Sequence, residues 1–316
     1  MQHQYWSLLG GVSPVFILIA TGFVVRRVGW LTTESDQSLI RLTINLLAPC
    51  LIFDSILGNE ALNNLGTVLL APSVGFGTIV LGLALCAACA KLLPLNDRQA
   101  RTFVFSTGIY NYGYIPVPLV QKFFGKETMG MLFAHNLGVE VAFWTAGIYM
   151  LTPRDAHTSA WKRLINAPVF AIVISLVLNF CHGTAWFPSL ALAPIHRMGQ
   201  SYVPVALLLT GASLADLLVQ NHPRTPGIAA LAGCVMRMLV LPVLFLLIAR
   251  YLPCPAELKR VIVVQAAMPA AMLSLVLAKR YGGDADTAMQ VVLATTAVGI
   301  VTIPFWIELG LRFVGA

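Results

Sequence analysis

Gly108-Ile-Tyr-Asn-Tyr-Gly-Tyr-Ile-Pro-Val-Pro118 lies inside an apolar run over 100–124 that is long enough to cross a bilayer. In hydrocarbon, an unpaired backbone N–H or C=O costs several kcal/mol, so a membrane helix cannot simply stop midway. Yet Pro116 and Pro118 each remove a backbone donor and clash with the preceding turn, and Gly113 loosens the chain before them. Broken backbone at membrane depth is tolerated only where protein or a water-filled cavity covers it. The stretch therefore predicts two half-helices that meet at a site lined by Asn111, Tyr112 and Gly113. A second interruption, Gln265-Ala-Ala-Met-Pro269-Ala270, falls at the matching place of the second half. Paired interruptions of this kind point to the binding site of a transporter.

The composition agrees with a membrane location. Charged residues make up 10% of the chain and the mean hydropathy is +0.81, whereas ordinary soluble domains carry about 25% charge. The net charge of +7 arises from Lys and Arg in short breaks between apolar runs. With no basic helix or basic patch interleaved with aromatics, it gives no nucleic-acid signal. Cys86 and Cys89 have C-x-x-C spacing but lie within the apolar run 65–90, where they read as small hydrophobes rather than redox or metal ligands. The N-terminus lacks the positive region of a cleaved signal peptide, so the first apolar run is expected to remain a membrane helix.

A span needs about 20 apolar residues. Ten segments qualify, at 7–25, 38–57, 65–90, 100–124, 128–151, 164–181, 199–219, 226–249, 257–280 and 286–311. The polar link 152–163 separates two sets of five, 1–151 and 164–316, and the stretch 182–198, with Pro188 and Pro194, reads as a second loop. Of the 20 Lys and Arg, twelve fall in loops after odd-numbered segments and seven after even-numbered ones, counting the C-terminus. The positive-inside rule then puts odd loops in the cytoplasm and both termini outside. With an odd number of spans per half, the second half enters the membrane upside down. The expected fold is an all-α integral membrane protein, ten transmembrane helices in two inverted five-helix repeats, with helices 4 and 9 broken where they cross.

Several segments resemble the auxin efflux carrier family. The run Arg41-Leu-Thr-Ile-Asn45-Leu-Leu-Ala-Pro49-Cys-Leu-Ile-Phe53 resembles its second helix, and Asn111-Tyr-Gly-Tyr-Ile-Pro116-Val-Pro118 its first crossover. Gly211-Ala-Ser-Leu214 resembles its small-residue signature in helix 7, and Ala267-Met-Pro269 with Leu277-Ala-Lys-Arg-Tyr-Gly282 its second crossover. The last helix, Thr295-Thr296 through Pro304, fits as well. The resemblance implies a scaffold of helices 1, 2, 6 and 7, a moving domain of helices 3–5 and 8–10, and a small organic anion as substrate. The long central loop of many plant members is absent, so short bacterial-type carriers in the plasma membrane are the nearer comparison. A homodimer through the scaffold helices is also expected.

Physics alone points toward an anion. Half-helices that begin at a crossover aim their N-terminal N–H groups and positive dipole ends at the break. Around it, the candidate substrate residues are Asn111, Tyr112, Gly113, Pro116, Pro118, Asn136, Gln265, Pro269 and Arg237. Asn111 either binds substrate or caps the broken backbone. Asn136, Glu140 and Trp144 share one helix face at i, i+4 and i+8. Glu140, with His135 and Asp54, is the candidate for proton or ion coupling, because a carboxylate at membrane depth faces an interior cavity or a partner. The other reading of Glu140 is a fixed pair with Arg237. Arg237 in turn suits a carboxylate substrate through two parallel hydrogen bonds, or pairs with Glu140, Asp216 or Asp54. Arg41, Asn45 and Pro49 share a face that reads as helix packing. There is no phosphate-binding loop, metal-spaced His/Cys cluster or intramembrane protease motif. No cofactor is expected, and the coupling ion is a proton or sodium. The expectation is thus a secondary carrier rather than an enzyme. Two alternatives remain: a sodium-coupled symporter of the bile-acid type, and a membrane sensor that binds without translocating.

Overall fold

The computed structural model describes residues 2–153, 164–185, 187–220 and 227–315. Of the expected linker, 154–163 lies outside the described residues, as does Arg224. The described chain is helical with no β-strand. In order, the helices are α1 (Gln2–Arg27), α2 (Thr33–Ile56), α3 (Leu65–Ala90), α4 (Asp97–Gly108), α5 (Pro116–Phe123), α6 (126–151), α7 (Ala167–Phe180), α8 (Ser189–Gln200), α9 (Tyr202–Gln220), α10 (Ile228–Tyr251), α11 (Ala256–Ala266), α12 (Leu273–Arg280) and α13 (Ala285–Val314). Among these, α2, α3, α10 and α13 are long and apolar enough to cross a membrane by themselves. Lipid-type faces are visible on the outer helices, as with Phe170, Ile174 and Val177 of α7, all exposed. By contrast α4 from Thr102 to Gly108 and α11 from Val261 to Ala266 are buried on every side, as expected of helices at the centre of a bundle.

The helix starts follow from side-chain caps, which satisfy N–H groups that have no partner in the first turn. Asn64 Oδ1 accepts from Gly66 N–H (2.7 Å), Asn166 from Val169 (3.0 Å) and Asp284 from Thr287 (2.8 Å). Asn96 and Gln99 form a reciprocal capping box on α4. Proline positions are more instructive. Pro116 and Pro118 begin α5 rather than break a helix, whereas Pro14, Pro72 and Pro304 sit inside continuous helices. The loop expected over 182–198 is corrected in part: α8 forms there, beginning next to Pro188 and accommodating Pro194. A proline this near the helix start forfeits one hydrogen bond, to the carbonyl of Leu190, and leaves the rest of the helix intact.

Three helices contain a widened turn of the π type, at Thr43–Leu47 in α2, Phe143–Gly147 in α6 and Met236–Val240 in α10. In two of them the cause is legible. Ala48 N–H reaches back to Thr43 O, and Leu241 N–H to Met236 O, each just before a proline, Pro49 and Pro242. The wider turn makes room where the proline ring would meet the carbonyl four residues earlier. It also adds a residue to the turn. The packing role expected of Arg41, Asn45 and Pro49 is corrected by their burial: Arg41 and Asn45 are exposed and Pro49 is half-buried.

Helices α3 and α6 pack at glycines. A Cβ on Gly138 would run into the carbonyl of Pro72, and one on Gly75 into that of His135. Gly22 and Gly211 make the same kind of contact between α1 and α9, the small-residue packing that substitutes in membranes for a hydrophobic driving force. One end of the bundle is tied by two buried asparagines. Asn179 Oδ1 accepts from Gly58 N–H (2.7 Å) and Asn59 N–H (3.1 Å), while its Nδ2 donates to Asn59 O and Asn63 Oδ1. Asn59 Nδ2 donates in turn to Ser55 O, Lys126 O and Glu127 O. The ends of α2 and α7 are thereby joined to the start of α6. Replacing Gly138 by Val should force α3 from α6 and lower the yield of monodisperse protein in detergent size exclusion. Gly77→Ala, where a Cβ meets nothing within 4 Å, should leave that yield unchanged. Asn179→Leu should cost about 1–3 kcal/mol of stability for each backbone N–H left buried and unpaired, read from the thermal melt.

Candidate functional site

The two interruptions meet. Ile109, Tyr110 and Asn111 run antiparallel to Pro269, Ala270 and Ala271, with Tyr110 opposite Ala270. Asn111 N–H donates to Pro269 O (2.8 Å) and Ala271 N–H to Ile109 O (3.1 Å). Ala270 N–H finds the hydroxyl of Thr295 on α13 at 3.2 Å. The backbone groups freed by the two breaks thus pair mainly with each other, which is how unwound chain persists where water is scarce.

Beside this crossing lies a cavity of about 490 Å³, within the range of small-molecule sites. Its polar side consists of Asn111, Tyr112 and Tyr114 from the first break, Asn136 and Glu140 from α6, and Asn166 and Tyr202. Its apolar lining comes from α2 (Ile44, Ala48, Leu51, Ile52) and α7 (Pro168, Val169, Ile172). Ala271, Met272 and Leu273, at the start of α12, complete it.

Hydrogen bonds fix the polar side. Asn136 Nδ2 donates to Tyr112 O (2.8 Å), and Gln265 Nε2 donates to Asn136 Oδ1 (3.0 Å), so α6 and α11 both hold the first break. Glu140 accepts twice, from the Tyr112 hydroxyl at Oε1 and from Trp144 Nε1 at Oε2, both at 2.8 Å. Asn111 is 3% exposed; its Oδ1 lies 3.5 Å from Ile115 N, while its Nδ2 has no hydrogen-bond partner among the described residues. The side chain therefore touches the broken backbone weakly, and its Nδ2 is buried without a hydrogen-bond partner among the described residues.

The two half-helix starts differ. In α5, Pro116 and Pro118 have no N–H, and Val117 N–H is used by Gly113 O at 3.2 Å. The dipole end is present but its donors are gone. In α12, Ser274 and Leu275 bond back to Ala271 O and Met272 O. The N–H groups of Met272 and Leu273, on the cavity wall, have no such backbone partner among the described residues. The expected pair of N–H-bearing ends is thus one such end, at α12, and a proline-capped end beside Asn111.

The family model for membrane transport proteins matches residues 8–307. The chain belongs to that family, the auxin efflux carriers. It is 21% identical over 299 residues to an uncharacterized transporter of Methanothermobacter thermautotrophicus, covering 93% of this chain and 96% of the relative. It is likewise 23% identical over 300 residues to an uncharacterized transporter of Methanocaldococcus jannaschii, with 93% and 96% covered. Membership makes this a membrane transport protein with several membrane-crossing helices.

Within this transport protein, the sequence-predicted residues divide into two groups. Asn111, Tyr112, Gly113, Asn136 and Glu140 line the cavity. Pro116, Pro118, Gln265, Pro269, His135, Arg237 and Asp54 do not. Gln265, His135 and Pro269 are one layer behind: Gln265 orients Asn136, His135 Nδ1 lies 3.4 Å from Asn136 Oδ1, and Pro269 O accepts from Asn111. Gly113 has no left-handed backbone and a Cβ there would meet nothing within 4 Å. It leaves the cavity wide rather than permitting a turn.

The expected pairs of Arg237 are corrected. Asp54 pairs with His196 (2.9 Å) and Asp216 with Arg26 (3.2 Å), while Glu140 is held by Tyr112 and Trp144. Arg237 lies on the far side of the crossover, 0% exposed, where Nε donates to Met268 O at 3.0 Å and Nη2 approaches Ala266 O and Gln265 O. Tyr114, Tyr202 and the apolar wall of α2 and α7 were not foreseen. Apolar residues in a lipid-length helix carry no sign of which ones face a cavity. Gly113→Ala should melt at the wild-type temperature in a thermal-shift assay, since neither its backbone nor its surroundings require glycine.

Proposed function

We propose that this protein is a secondary carrier of a small organic anion that works by alternating access. The observation that carries this reading is the crossing of two interrupted segments, Tyr110 against Ala270, beside a cavity lined by both polar and apolar residues. A carboxylate is suited to the Asn111 amide and the N–H groups opening α12, with the positive end of that helix beneath it. A flat or branched apolar tail is suited to the α2 and α7 wall. In this reading the ten spans form two inverted repeats, 1–151 and 164–316. Helices α1, α2, α7 and α9 are the scaffold, the remaining spans move against them, and both termini lie outside the cytoplasmic membrane. In this reading the cavity lies between the two parts, with Ile44, Ala48, Asn166 and Tyr202 from the scaffold side and Asn111, Glu140 and Met272 from the moving side.

Glu140 supplies the coupling. Its charge and that of a bound anion repel strongly where water is excluded. A proton on Glu140 removes the repulsion, so anion binding strengthens as pH falls and brings a proton with it. A second reading is favoured by one observation: Tyr112 and Trp144 each donate to Glu140, which suits a carboxylate that stays charged. The guest would then carry an ammonium group facing Glu140 as well as its own carboxylate.

The test is a thermal-shift screen of purified protein against carboxylic acids with apolar tails, with and without an α-amino group, at two pH values. Simple acids should raise the melting temperature more at the lower pH, and Asn111→Ala should abolish the shift while melting normally without ligand. Glu140→Gln should make the shift independent of pH. Preference for amino acids, with Glu140→Gln losing them, would favour the second reading. No response to any acid would end both.

A further inference from the structure

Arg237 is a full charge with no surface and no carboxylate within ion-pair distance among the described residues. A charge in such surroundings must be compensated or it is not stable there. What surrounds it is specific. The guanidinium lies against the carbonyl end of α11 and the unwound chain after it, contacting Met268 O (3.0 Å), Ala266 O (3.4 Å) and Gln265 O (3.5 Å). The guanidinium carbon also lies 5.1 Å from the ring centre of Tyr110 and 5.3 Å from that of Phe245, so two aromatic faces flank the cation. Tyr110 is itself the residue at the crossing, and its hydroxyl bonds to Thr78 at 2.9 Å. The side chain is aimed there by the widened turn Met236–Val240 that Pro242 imposes on α10.

In broken-helix carriers, a carbonyl-lined half-helix C-terminus with unwound chain beyond it is where a coupling cation is held. Here that place already contains a positive charge fixed by a covalent tether. No basic side chain hydrogen-bonds to the corresponding end of α4 among the described residues, where Gly82 packs against Gly108 O instead. The cation is therefore a feature of the second crossover alone.

We infer that Arg237 is a resident cation: it occupies the carbonyl cradle of the second break in place of a metal ion, so the crossover assembles without sodium. Its charge stands one backbone layer behind the cavity and favours an anionic guest without touching it. Only this last point rests on the carrier reading; the cradle itself is tested without any guest.

The test uses purified full-length protein in detergent, melted in sodium, potassium or choline chloride. The wild type should melt at one temperature in all three. Arg237→Ala should melt lower in choline chloride and recover by several degrees, saturably, when sodium or guanidinium chloride at millimolar concentration is added, because the emptied cradle accepts a free cation. A sodium-specific, saturable rise in the wild type would overturn the proposal, and so would an Ala variant that melts lower but ignores both ions, or one that melts like wild type. Should the Ala variant fail to accumulate, Arg237→Lys and Arg237→Met decide: accumulation of Lys but not Met supports a required charge, and accumulation of Met at wild-type level refutes it. A screen in which no acid binds would sink the carrier reading and leave these melts interpretable.

Discussion

Inside hydrocarbon, a backbone N–H or C=O without a partner is costly, and this one constraint organises the centre of the molecule. Two segments lose their helical hydrogen bonds over a few residues, and each supplies the other's missing partners: Asn111 N–H to Pro269 O and Ala271 N–H to Ile109 O. Neither break would persist alone. The mutual pairing lies where the flanking half-helices are buried on all sides, α4 from Thr102 to Gly108 and α11 from Val261 to Ala266. It also leaves side chains such as Asn111, with no helix of their own to serve, facing an empty volume.

The charges divide along the same line. Glu140 is on the cavity side, held by two neutral donors, and Arg237 lies outside the cavity lining, with Nε and Nη2 on carbonyls, two aromatic rings beside it and Nη1 without a hydrogen-bond partner among the described residues. An arrangement in which the two paired with each other would remove both from reach of anything else. Keeping them apart on either side of the crossover leaves a field across it, with the negative group exposed to the cavity and the positive one sealed.

Much of this was legible in the residues. Pro116, Pro118, Pro269 and Gly113 marked the two breaks, lipid-length apolar runs marked helices such as α3 to the residue, and the i, i+4, i+8 spacing of Asn136, Glu140 and Trp144 brought them to one face. What was not legible had physical reasons. Prolines mark a break without saying whether they end a helix or start one, and here they start α5. Carbonyl groups have no letter in the sequence, so the true partners of Arg237 were invisible beside the more conspicuous Glu140, Asp54 and Asp216. The cavity wall from α2 and α7 was hidden for a similar reason: its residues resemble those that face lipid.

The asparagine tie between α2, α7 and the start of α6 has a mechanical consequence. Any rearrangement that slides α6 past α2 and α7 at that end must unfasten Asn59 and Asn179 together, because each holds backbone belonging to the other's neighbourhood. The released amides would demand replacement partners at once, and only solvent can provide them there. That rim of the bundle should therefore part as a wetting event, all or nothing, instead of flexing by degrees.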